Sequence, residues 1–169
     1  MKYKNIFLIL GILLLSALVY FFYPKQKKAA PHYHAGFYVY ADGALLDFSG
    51  NEHMHTTYCE FDSASNNTFD SSDEKAHLHN NVGDVIHIHK VGVKWIDLFD
   101  SIGYHFPSDK SIKGFKDGHE VNNILQTVVE PYESIIIAIG DIKNVDINRY
   151  VSKAHIKEVE AKSEYCGNQ

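Results

Sequence analysis

The chain is poor in sulfur: two cysteines and two methionines among 169 residues. Met1 and Met54 are too few to line a Cu(I) carrier, which relies on soft thioether or thiolate donors. Cys59 and Cys166 are the only cysteines. In an oxidising compartment they permit one bridge, tying the tail to the segment after "HMHTTYC". Two free thiols, or Cys59 as a metal ligand, are the alternatives. Also missing are H-E-x-x-H, the G-x-S-x-G nucleophile turn and a phosphate-binding glycine loop. The formal charge of −5 leaves no basic surface for nucleic acid. The acidic stretch 60–76, "EFDSASNNTFDSSDEKA", reads as a loop and lacks the spacing of a calcium loop.

What is present belongs to a folding protein, with 45% apolar and 13% aromatic residues in a length that suits one domain plus extras. Residues 6–23, "IFLILGILLLSALVYFFY", carry no charge, and as a helix they would be about 27 Å long. Tyr20 and Tyr23 sit near one end, as interfacial aromatics do. The run continues into "FFYPKQKK" without a small-x-small cleavage site, so the expectation is an uncleaved single-pass anchor. Lysines flank both ends. As the sole hydrophobic segment, at the very start, it favours a cell-membrane protein with its soluble body outside the cytoplasm. Residues 1–28 then form anchor and linker, 29–141 a β-rich domain, and 142–169 a C-terminal helix and tail.

Histidine is the abundant residue. Eight of the eleven fall in four H-x-H pairs: His32 and His34, His53 and His55, His77 and His79, His87 and His89. A random scatter would give about one such pair. On a strand, residues i and i+2 share a face about 6.5 to 7 Å apart, close enough for two imidazoles to lean onto one ion at about 2.0 to 2.1 Å per bond. The intervening residues are Tyr33, Met54, Leu78 and Ile88, which suits strands with one face toward a core and the imidazoles on the other.

The turn signals propose how the pairs meet. "GFYVYADGALLDFS" reads as a hairpin about Asp42-Gly43, bringing 32–34 and 53–55 together at its open end. A hairpin centred on Gly83 sets His79 opposite His87 and His77 opposite His89, gathering four imidazoles on one patch. A one-residue shift would destroy that cluster. If the two hairpins meet in space, a bimetallic centre becomes possible.

Further along, "VKWIDLFDSIG" is a helix with Trp95, Leu98, Phe99 and Ile102 on one stripe and Gly103 at its left-handed cap. "GFKDGHEV" is a turn between strands, "ESIIIAIGD" a buried strand, and "DINRYVSKAHIKEVEAK" a helix capped by Asp146. His105 is expected to pack in its loop, His119 to be solvated and His155 to lie on the surface. The order strand, helix, strands, final hydrophobic strand over 85–140 resembles the β-grasp (ubiquitin-like) arrangement. The chain also resembles uncharacterised single-pass, His-rich membrane-anchored proteins, a likeness that implies no activity. "VGDVIHIH" is similar to a cupin strand, but the Glu a cupin would want after H-x-H is not supplied.

The fold expected is α+β: a mostly antiparallel β domain with one packed helix, followed by a C-terminal helix. The function expected is metal binding through the eight paired histidines. An all-imidazole donor set points to copper(II) or zinc, one or two ions, for capture, buffering or delivery. The alternative is a metalloenzyme, a zinc hydrolase or hydratase or a copper redox enzyme, with an open coordination position. Asp84 or Glu52 would then orient a ligand imidazole.

Overall fold

The computed structural model describes residues 32–54 and 75–163. The apolar run 6–23, His55, most of the acidic loop and both cysteines lie outside the described residues. Among the described residues no helix is long and apolar enough to cross a membrane.

The elements run β1 (Tyr33–Ala41), β2 (Ala44–Leu45), a 3-10 turn (Asn51–His53), β3 (Ala76–His77), β4 (Val85–Ile88), α1 (Trp95–Ser101), β5 (Ile112–Lys116), β6 (His119–Val121), a second 3-10 turn (Ile124–Gln126), β7 (Ser134–Ile139) and α2 (Lys153–Ser163). The fold is α+β, with a mixed sheet in the order β3-β4-β1-β7-β5-β6 and β2 alongside β1. The central pair β1·β7 is parallel, whereas the other strand pairings are antiparallel.

β1 and β7 are buried on both faces, which is why their sequences are nearly continuously apolar. One face presents Ala35, Phe37, Val39, Ile86, Ile88, Ile135 and Ile137 to the α1 side chains Trp95, Leu98, Phe99 and Ile102. The opposite face carries Tyr40, Phe115, Ile136 and Ala138 beneath Ile142, Val145, Ile147 and Tyr150. On this face Val85 also meets Val151, Ile156 and Val159. The chain beyond residue 141 thus closes the second face of the sheet.

Local chemistry explains the joints. Asp42 and Gly43 at φ 48° and 82°, and Asp117 and Gly118 at 52° and 76°, make the two tight turns read from sequence. α1 starts where Asp97 accepts a bond from the Lys94 amide (2.8 Å). It ends in a Schellman turn: Gly103 adopts φ 69°, and the Tyr104 amide donates to the Phe99 carbonyl at 2.8 Å.

α2 begins later than expected. Asp146 caps no helix; its carboxylate and carbonyl close a turn on the amides of Asn148 and Arg149. The cap is Ser152, whose hydroxyl accepts from the His155 amide at 3.1 Å. The delay has a packing cause. Val151 must first seat over Gly36 of β1, so closely that a Cβ on Gly36 would stand 2.5 Å from the Val151 Cβ.

Candidate metal centre

Three adjacent strands build the site. On β1, His34 alternates with the core residues Tyr33 and Ala35; on β4, His87 alternates with Ile86 and Ile88; on β3, His77 lies between Ala76 and Leu78. Each imidazole therefore faces the side away from α1. His34 pairs with His87 across β1·β4, and His77 pairs with His87 across β3·β4. The three form one row, and His32, His79 and His89 flank it.

The rings crowd around His87. Its centroid lies 4.3 Å from His89, 4.4 Å from His34, 4.5 Å from His32, and 4.9 Å from both His77 and His79. Among the described residues two groups have nitrogens within 4.8 Å of one another: His32, His34 and His87, and His77, His87 and His89. Tetrahedral zinc places its nitrogens about 3.4 Å apart, so modest side-chain rotation closes either group on an ion. His87 belongs to both.

The register differs from the expected one. His77, not His79, stands opposite His87, because the turn forms at Asn80-Asn81, both at positive φ, and Gly83 and Asp84 bend before β4 begins. The slip is of two residues and so leaves every imidazole on the same face, where a slip of one would have inverted them. His79 is reached diagonally, its Nε2 2.8 Å from His87 Nδ1.

The first expected hairpin does not bring His32 and His34 onto His53. β2 stops after two residues because Phe48 turns into the core on the α1 side, against Phe37, Phe99 and Tyr104. His53 follows it and packs on the Phe48 ring at 5.1 Å. The edge of β1 left open is taken by β4. In place of two four-histidine hairpins, the structure gathers six histidines of three strands on one patch. His55 lies outside the described residues.

Burial sets the protonation of His34 and His87. His34 is 0% exposed, His87 1% and His77 4%. Burial, followed by the crowding of His34, His89, His77 and His79, holds His87 far below the ordinary imidazole value. Burial lowers His34 to about 4, with Glu160 opposing and His32 and His79 adding to the effect. Both are neutral near pH 7, the state in which an imidazole ligates. His87 Nε2 is buried with no hydrogen-bond partner among the described residues. Such a group costs about 1 to 3 kcal/mol when left unmade, and an ion bound there removes the deficit.

The carboxylates are not those expected. Asp84 accepts from His155, its Oδ1 3.1 Å from Nε2, and exposed Glu52 lies 3.8 Å from His53. Neither faces a ring of the patch. Among the described residues the carboxylate that does is Glu160 on α2, whose Oε1 is 3.7 Å from His34 Nδ1 and whose Oε2 accepts from the Tyr132 hydroxyl at 2.7 Å. Its sequence signal was its place one turn after Ile156, on the face that α2 buries. His155 is thus partly covered and paired, and His105 is exposed rather than packed, as is His119 at the start of β6. A cleft of about 530 Å³ lies beside the β4 turn, lined among others by Tyr38, Asp84 and His155 and by none of the six histidines.

No protein-family model, no curated protein and no solved structure matches this chain.

Proposed function

We propose that the chain is a membrane-anchored, extracytoplasmic metal-binding protein that takes copper(II) or zinc on the imidazoles of its H-x-H strands, for capture, buffering or delivery. The observation that carries the proposal is the convergence of His32, His34, His77, His87 and His89 into two ligand-distance groups sharing His87. Three imidazoles within reach of one ion form a borderline donor set that suits Cu(II) and Zn(II) and disfavours oxygen-seeking calcium and magnesium. The apolar run 6–23, 18 residues without a charge, supports the anchor. We also read the fold as β-grasp-like. The support is a sheet packed on one crossing helix, with β7 as the last strand laid beside β1 at the centre.

A metalloenzyme is the second reading, favoured by the count of three histidines in each group. Three protein ligands leave one tetrahedral position for water or substrate, the arrangement of catalytic zinc. Glu160 would orient His34 in that chemistry.

The deciding experiment is metal analysis of the untagged full chain, followed by titration with copper(II) and zinc. Tight, near-integral binding that falls when His87 and His89 are replaced by alanine is the expected result. A folded protein that holds neither ion beyond weak surface binding would overturn the reading. Spectra of the copper-loaded form then distinguish a saturated carrier site from an open catalytic one.

A further inference from the structure

The shared residue has a consequence for stoichiometry. The five histidines within ligand distance form two groups rather than one, so a single ion has no position that collects them all. His34 of β1 and His32 just before it stand on one side of His87, and His77 of β3 on the other. The His87 ring lies between them with its two nitrogens directed differently. Nδ1 lies 2.8 Å from His79 Nε2, and Nε2 is buried with no hydrogen-bond partner among the described residues.

We infer that the patch holds two divalent ions bridged by the two ring nitrogens of His87, one ion also held by His32 and His34, the other by His77 and His89. This inference rests on the metal-binding reading above. In the bridge, the neutral imidazole loses its one ring N–H proton to solvent, and each nitrogen lone pair forms one bond to an ion. No electron is transferred. The hydrogen bond between His87 and His79 gives way to the second ion. The ions stand about 6 Å apart, from two metal–nitrogen bonds of about 2.0 Å across one ring. The imidazolate charge lowers the repulsion between two dications, and Glu160 beside His34 adds a second negative group at the first ion.

The ligand chemistry is that of two identical Cu(II) ions, two Zn(II) ions, or one of each. Copper(II) is the useful probe, because two such ions joined by one imidazolate couple magnetically. The test is titration of the metal-free full chain with copper(II) chloride, followed by electron paramagnetic resonance. Two equivalents should bind, the signal rising with the first and falling as the second completes the bridge. His32→Ala removes an exposed ring from one group only. It should leave one equivalent with a full, uncoupled signal from the His77, His87 and His89 group. His89→Ala should do the same from the other side.

Two equivalents with an additive signal would overturn the bridge while leaving the metal site standing, as would wild-type saturation at one equivalent. Loss of all copper in His32→Ala would also overturn it, showing one site in place of two. Absence of tight binding in the wild type would overturn the metal-binding reading as well. His87→Gln should abolish coupling in any sample that folds; the two single-group variants decide the matter if it does not.

Discussion

His34 on β1 and His87 on β4 are direct partners across an antiparallel strand pair, with ring centroids 4.4 Å apart. This contact joins two histidine pairs that lie far apart in the chain, and His77 on the other flank of β4 extends it to three strands. His87 is therefore the residue on which the patch depends, and the ring with the least solvent around it among its immediate neighbours is paired to it.

Replacement of His87 by alanine should lower copper(II) or zinc affinity by about 100-fold or more, because both groups lose a ligand, and loss of even an outer-shell partner costs about 10- to 100-fold. His53→Ala, which removes a ring packed on Phe48, should leave stoichiometry and affinity unchanged. Parallel calorimetric titrations of the two variants check this; equal losses would contradict the placement of His53 outside the patch.

Glu160→Gln should weaken metal binding by about 10-fold, since the carboxylate facing His34 Nδ1 favours ligation through the other ring nitrogen. Tyr132→Phe, which removes the hydroxyl that donates to Glu160, should act in the same direction and less strongly. Affinities from competition with a chromophoric chelator give the comparison, and a wild-type value for Glu160→Gln would remove Glu160 from the site.

The metal-free protein should lose stability as the pH is lowered from about 6.5 to about 4. His34 titrates near 4 in the fold against an ordinary 6.5, so between these values the unfolded chain binds the extra proton and gains. Its contribution is fully present above pH 6.5 and is gone below pH 4, with a size on the order of 3 kcal/mol. His87, lowered in the same direction, adds to the loss. Urea unfolding across this range measures it, and His34→Gln should flatten the profile.

Gly36→Ala should destabilise the fold by about 1 to 3 kcal/mol, because the new methyl group would meet Val151 at 2.5 Å. Val151→Ala in the same chain should recover part of that loss, although each change is harmful alone. The coupling energy from the four-member cycle tests whether the α2 segment seats over Gly36. Additive effects would count against it.

Much of the local structure was legible in the sequence. The alternation in "HYHAGFYVY", "HLH" and "VIHIH" assigned faces correctly: Tyr33, Leu78 and Ile88 lie against the α1 core, and the neighbouring histidines His34, His77 and His87 point the other way. Asp42-Gly43 and Asp117-Gly118 announced their turns, and Gly103 its helix cap. These signals are local, being set by sterics and backbone hydrogen bonding within a few residues. The turn before β4 was misplaced because Asn80 and Asn81 can adopt positive φ as well as the nearby glycine. The start of α2 was misplaced because its limit is a tertiary contact, Val151 on Gly36.

The sequence by itself determined which histidines share a face, since the period of a strand is two and an even slip of register cannot change it. It also determined that the side chains gathered on that face are imidazoles. Tertiary structure alone decided which pairs meet. Phe48 entered the core, carried His53 away, and left the edge of β1 to β4, so His32 and His34 joined the pairs of β3 and β4. It also brought Glu160 to His34 from a helix late in the chain. Strand neighbours distant in sequence are chosen by which apolar faces can be buried together, and no short window of residues carries that information.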